Sequence, residues 1–212
     1  MPEIAAHLSL MQWLSPGFPT GAFAYSHGLE QAIAAGDVTD AGSFAHWLED
    51  VLTYGAGWSD AVLLACGFRG EDLGALDDLA RALAGSAERL HETVEQGAAF
   101  ARAQEGLRGV AVSPRALPVS VADAARNLPL APDQVIALFL HSFAANLVSA
   151  AVRLVPLGQI SGQRVLAEMH GQITQIAQRA AQAKTTDIAT SAFRAEMAAM
   201  QHETLDVRLF RT

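Results

Sequence analysis

Apolar residues recur every three or four positions along most of the chain, a spacing that places them on one face of a helix. One clear stripe begins near residue 39 and contains Phe44, Trp47, Leu48, Val51 and Leu52. Alternating β-branched runs bounded by turn residues, which are typical of strands, are nearly absent. The pattern predicts an all-α fold, a helical bundle of about eight to ten helices with a C-terminal tail.

Proline and glycine mark where the predicted helices end. The sequence SPGFPTG at 15–21 cannot continue a helix, and neither can Pro-Leu-Gly at 156–158. By contrast, Pro132 and Asp133 suit the first turn of a long apolar helix that should lie at the centre of the core. We expect helices over about 4–14, 22–35, 39–52, 61–67, 71–84, 86–107, 120–126, 132–154, 161–184 and 190–200.

Composition limits the kind of protein. With 212 residues the chain is expected to form a single domain over 1–212, including a partner-binding tail at 201–212. Hydrophobic residues make up 51% and mean hydropathy is +0.22, which indicates an apolar surface that meets a partner. The net charge of -8, with no cluster of basic residues, argues against binding nucleic acid.

The sequence also favours the cytoplasm. A single cysteine, Cys66, cannot form an internal disulfide, and the N-terminal residues lack the basic region of a targeting signal. The uncharged stretch Gln134–Val152 approaches the length of a membrane span but contains His141 and Asn146, which are costly in lipid. A buried core helix is the better interpretation, and we expect no membrane association.

Familiar catalytic and cofactor motifs are missing from the sequence. The sole lysine, Lys184, does not follow a phosphate-binding glycine loop, and seven histidines are scattered without ligand spacing. We therefore predict no cofactor, no metal site and no catalysis. Two alternatives stay open: an all-α enzyme that uses His27 and Glu30 for acid–base chemistry, and a membrane-peripheral helical protein.

Three segments, taken together, resemble the UreF family of urease accessory proteins. They are LMQWLSPGFPTGAFAYSHGLEQAI at 10–33, HSFAANLVSAAVRLVPLGQISGQRVL at 141–166 and MQHETLDVRLFRT at 200–212. The chain departs from the family pattern at Thr20, where an aliphatic residue is common, and at Asp206-Val207, where many members have Tyr-Ser.

The resemblance implies a non-catalytic protein that helps to incorporate nickel into apo-urease. It implies a homodimer that binds the accessory protein UreD, also called UreH, and through it recruits the GTPase UreG. By this resemblance we assign two sets of partner-binding residues, one near each end of the chain: Phe23, Tyr25, Ser26, His27, Glu30, His202, Glu203, Arg208 and Arg211.

Each assignment has a plainer alternative. Phe23 is expected in the core, whereas Ser26, His27 and Glu30 could equally form a partner surface or a solvated face. His141, Asp60 and Cys66 are expected to be core residues. We expect His27 and Glu30 to matter more for partner binding than for folding, and the tail to stay mobile until a partner orders it, with Arg208 as its main contact.

Overall fold

The computed structural model describes residues 2–211, and within that range it contains helices and no strand. The α-helices are α1 Pro2–Trp13, α2 Leu29–Ala34, α3 Ala41–Tyr54, α4 Ala56–Phe68, α5 Leu73–Ala82, α6 Ala87–Arg108, α7 Leu117–Ala125, α8 Pro132–Leu154, α9 Gln159–Glu168, α10 His170–Ala180 and α11 Phe193–His202. Two 3-10 turns lie at Ala22–Ala24 and Thr185–Asp187. With α3–α4 and α9–α10 each counted as one nearly continuous rod, the described residues form nine helices, which confirms the predicted all-α class.

The predicted helix over 22–35 is wrong, because this segment is broken in the middle. Tyr25 is extended, and His27 and Gly28 both have positive φ (56° and 77°) before α2 begins. A Cβ added to Gly28 would lie 2.6 Å from the backbone nitrogen of Ala199 in α11. The break therefore lets α11 approach the chain more closely than a side chain would allow.

The predicted helix over 161–184 is also divided. It is interrupted at Met169 between α9 and α10, and α10 ends at Ala180. The helix predicted over 132–154 is confirmed at both ends by α8.

Two helices form the centre of the core. Helix α4 is buried along nearly its whole length and packs against α3, α5, α7, α8 and α10, while α8 also packs against α2 and α9. Asp60 and Cys66 lie on α4 as expected, and the Cys66 side chain is fully buried. The buried apolar side chains of the described residues form one continuous cluster.

Two segments among the described residues are long and apolar enough to cross a membrane, Ala41–Phe68 and Pro132–Leu154. Within the fold, 78% and 50% of their most apolar windows are buried. Core helices of soluble proteins have the same composition, so the segments are weak evidence for membrane insertion.

In α8 the polar groups hold the neighbouring loop: Ser142 Oγ donates to Leu14 O (2.6 Å) and Asn146 Nδ2 to Ala22 O (2.8 Å).

Helices α6 and α7 meet at Gly97, where the backbone of residues 115–117 passes directly over α6. A Cβ added to Gly97 would overlap the Arg115 carbonyl oxygen and lie 2.8 Å from Leu117 N. By contrast, a Cβ added to Gly106 on the same helix meets nothing within 4 Å.

We predict opposite effects of Gly→Ala at these two positions. Gly97→Ala should lower the free energy of unfolding by roughly 1–3 kcal/mol because the backbones must separate. Gly106→Ala, the matched control, should raise it by roughly 0.5–1 kcal/mol through helix propensity. Urea denaturation of both variants measures the difference, and equal effects would contradict the close packing of α6 and α7.

Candidate partner-binding surface

The two sets of candidate residues, from opposite ends of the sequence, lie together in the structure. Helix α11 packs on α2, and the chain after α11 continues past the 3-10 turn, where Arg211 N donates to Ala24 O at 2.8 Å. The sequence-based assignment placed both segments at a partner surface but did not predict that they contact each other.

Glu30 joins the two segments. Its carboxylate is buried and accepts hydrogen bonds from the backbone N–H groups of Leu209 (2.8 Å) and Phe210 (2.9 Å). The same carboxylate lies 3.1 Å from His202 Nε2. Glu30 stands in the first turn of α2, directly after the break at Gly28, which aims it at the tail. One buried side chain thus fixes α11 and the tail beyond it.

His202 is fully buried and extends this network to α6. Its Nδ1 lies 2.7 Å from Glu88 Oε2, and Glu88 Oε1 in turn accepts from Arg208 Nη1 at 2.6 Å. Each ring nitrogen of His202 therefore lies within hydrogen-bonding distance of one carboxylate oxygen. The network therefore runs from α2 through α11 to α6 and back to the tail.

Glu203 makes a second connection between the tail and α6. Its Oε1 accepts from Ala87 N (2.8 Å) and Glu88 N (3.4 Å), the first amides of the helix. Ser86 Oγ caps the same end by accepting from Arg89 N at 3.1 Å. A carboxylate is favourable at a helix N-terminus, so Glu203 stabilises both the helix end and the position of the tail.

A second buried network lies beneath the first. Glu92, on α6, lies 2.8 Å from His27 Nε2, forms an ion pair with Arg89 and accepts from Gln96 Nε2 at 2.9 Å. Burial alone would raise the pKa of Glu92, but the charges and hydrogen bonds of Arg89 and His27 hold it at about 2. Burial and the neighbouring Arg89 lower the pKa of His27, and Glu92 acts in the opposite direction.

A small cavity adjoins this second network, between α4, α6 and α11. Asp60 lines it together with His27, Ser59 and Arg89. The Asp60 side chain is partly buried beside this cavity, and burial raises its pKa to about 6 despite the attraction of Arg89.

Several candidate residues are placed differently from the prediction. Tyr25, Ser26, His27, Glu30 and His202 are buried, which corrects the expectation that Ser26, His27 and Glu30 form an exposed face of the free chain. Their polar groups are used inside the fold, where desolvated charge must be paired.

The exposed candidates include one that was expected in the core. The Phe23 side chain is 63% exposed, which corrects that expectation. Glu203, Arg208 and Arg211 are also exposed, although each is tied to the fold by a hydrogen bond. In the structure the tail is packed on its own core. The sequence-based expectation was instead a tail that stays mobile until a partner binds.

Sequence reasoning missed Glu88, Arg89 and Glu92, which complete both networks. A signal for them exists in the sequence, because Glu88, Glu92 and Gln96 are four residues apart and share one face of α6. Polar residues at that spacing are normally assigned to a solvated face. What brings Glu88 and Glu92 inside the fold is long-range contact, of Glu88 with His202 and Arg208 and of Glu92 with His27, which helix periodicity does not report.

The outer side of this assembly exposes apolar side chains together with two arginines and the acidic Glu203 and Asp206. We define the tail surface as Phe23, Val207, Arg208, Leu209 and Arg211. Val207 and Leu209 are 77% and 74% exposed, and Phe210 anchors the segment beneath them, buried under the guanidinium of Arg153 (5.3 Å from its ring centre). Exposed apolar side chains held in a fixed array are typical of protein interaction sites.

The described residues thus form an all-helical core against which the C-terminal segment is held by Glu30 and α6. A family model and full-length relatives of known name both match this chain. The family model UreF matches residues 38–170. Proteins named urease accessory protein UreF are 59% identical over 208 residues in Cereibacter sphaeroides (98% of this chain, 99% of that protein), 50% in Roseobacter denitrificans (98% and 94%) and 50% in Paracoccus denitrificans (100% and 98%). The chain belongs to the UreF family of urease accessory proteins.

We predict that Glu30→Ala destabilises the protein, contrary to the expectation from sequence. The substitution leaves two backbone amides and the buried His202 without their acceptor, which should cost about 3–5 kcal/mol. Glu95→Ala, which removes an exposed carboxylate from α6, is the control and should change stability by less than about 0.5 kcal/mol. Thermal and urea unfolding measure both, and an unchanged melting temperature for Glu30→Ala would exclude the tail-anchoring role.

We also predict that Asp60→Asn stabilises the protein in a pH-dependent way. The folded state holds the Asp60 proton more tightly than the unfolded chain does, so ionising Asp60 costs stability as the pH rises from about 4 to about 6. The variant avoids this cost, which is about 2–3 kcal/mol at pH 7.5 and close to zero at pH 4. Urea titrations at both pH values, with the exposed Asp50→Asn as control, test it; a gain independent of pH would be the contrary result.

Proposed function

We propose that this protein is a non-catalytic accessory factor for incorporating nickel into apo-urease in the cytoplasm. It acts as a homodimeric scaffold that binds the accessory protein UreD/UreH and couples it to the GTPase UreG. The observation that carries the proposal is the tail surface, an exposed apolar and basic array fixed from beneath by the buried Glu30 network.

The fixed backbone is what makes this surface suited to binding. Exposed aliphatic side chains on a free tail would have to be ordered on association, at a cost of conformational entropy. Here Glu30 holds the backbone at Leu209 and Phe210. The conformational entropy of this backbone is therefore lost during folding and not again when the partner binds. A preordered apolar patch can then act as the centre of an interface, and the adjacent arginines can pair with acidic groups of the partner.

The buried residues have a supporting role in this proposal. Glu30, His202 and Glu92 position the tail and α6 and do not contact the partner themselves. This arrangement also disfavours the enzyme alternative that uses His27 and Glu30. The Glu30 carboxylate already accepts two backbone hydrogen bonds and contacts His202, and His27 is bonded to Glu92, so neither is arranged for proton transfer to a substrate.

The non-catalytic assignment is supported by membership of an accessory protein family and by the lack of a phosphate-binding loop in the sequence. Nucleotide hydrolysis during nickel delivery is accordingly assigned to the partner GTPase. The function of this chain is then to bring its partners together in a productive arrangement.

We predict that Phe23→Ser combined with Leu209→Ser weakens binding to a UreD-type partner by about 10- to 100-fold, because two exposed apolar anchors are lost. Both side chains are exposed, so the melting temperature should stay close to that of the wild type. A matched control is Leu107→Ser with Ile160→Ser, which removes two apolar side chains that are 57% and 78% exposed elsewhere.

Two measurements separate the variants: the dissociation constant for the purified partner, and the nickel content of urease from cells that express each variant. The tail-surface variant should reduce both binding and nickel content, and the control neither. Equal binding by the two variants would show that the partner uses another surface.

A further inference from the structure

Two imidazole rings lie together where α8 packs against α10, away from the tail surface. The ring centres of His141 and His170 are 5.4 Å apart, with 43° between the ring planes. His141 is half-buried, which corrects its expected place in the core, and His170 is exposed at the first residue of α10. Along α8, His141 is twelve residues from Arg153 at the tail, about 18 Å at the rise of an α-helix.

This spacing suits two ligands of one metal ion. Two imidazoles that bind a tetrahedral ion at about 2.0–2.1 Å each have their ring centres about 5 Å apart. Imidazole is a preferred ligand of zinc, nickel and copper ions.

The helices that carry the two residues are held firmly. Helices α8 and α10 form one of the most extensive helix pairs of the fold. Ile173 and Ile176, which follow His170 along α10, are buried. Residues on packed helices keep their positions better than residues on loops, so ion binding requires adjustment of the side chains alone.

We propose that His141 and His170 form a binding site for a late first-row divalent cation such as Zn²⁺, Ni²⁺ or Cu²⁺. Among residues 2–211 no group of three or more His, Cys, Asp and Glu side chains is arranged to hold a metal, so this site has two protein ligands. The other coordination positions are open to water or to a ligand from another molecule. Such a site binds its ion exchangeably and is unlike a closed structural zinc site.

The other histidines provide the comparison. His27 and His202 are buried in ion-pair networks, whereas His7 on α1, His46 on α3 and His91 on α6 are exposed and lie on separate helices. Replacing His7 and His91 therefore removes the same number of histidines as replacing His141 and His170, but it leaves the pair intact.

The test is calorimetric titration of the purified full chain with NiCl₂ and with ZnCl₂. We expect wild type and His7→Gln/His91→Gln to bind one ion per chain with the same affinity, and His141→Gln/His170→Gln to lose this binding. With Cu²⁺, electron paramagnetic resonance should show two nitrogen ligands in the wild type and at most one in His170→Gln. That single change is at an exposed residue and leaves the core intact.

Two results would overturn the proposal: no saturable binding by the wild type, or equal binding by wild type and the His141/His170 variants. The site is independent of the proposed scaffold function. His170→Gln should keep wild-type affinity for the UreD-type partner. If no metal binds, the proposed partner binding still stands, and if no partner binds, the proposed metal site still stands.

Discussion

The structure depends on the carboxylate of Glu30, which lies where residues 24–30 meet the tail at residues 209–211. It accepts hydrogen bonds from the backbone N–H groups of Leu209 and Phe210 and lies next to His202. The tail segment forms neither helix nor sheet, so Glu30 supplies acceptors that regular secondary structure would otherwise provide. A buried carboxylate is costly unless it is well paired. Because the tail itself provides those partners, the position of the tail and the stability of the core are linked.

The same residues explain why the surface and the interior divide as they do. Charged side chains at the junction of α2, α6 and α11 point inward and pair with one another, while Phe23, Val207 and Leu209 point outward. This reverses the usual distribution of polar and apolar groups. The proposed partner binding would account for this reversal, since polar groups order the segment and apolar groups then remain available for binding.

Local sequence signals predicted much of the fold. The limits of α8 followed from Pro132 and from the Pro-Leu-Gly break after it, and the loop at 15–21 followed from its prolines and glycines. The break at His27 and Gly28 was missed because it accommodates Ala199, a residue far along the chain whose approach helix periodicity does not report. For the site, the sequence located both segments but placed Glu30 outside and Phe23 inside. Which face of a short helix is buried depends on contacts at long range.

The most direct test is amide hydrogen exchange at Leu209 and Phe210 in the free protein. If Glu30 anchors a preordered tail, both amides exchange slowly without any partner, and their protection falls sharply in Glu30→Gln, whose neutral side chain is a weaker acceptor. Rapid exchange of both amides in the free wild type, with protection appearing only when a partner is added, would contradict the account and show that the tail is ordered by binding.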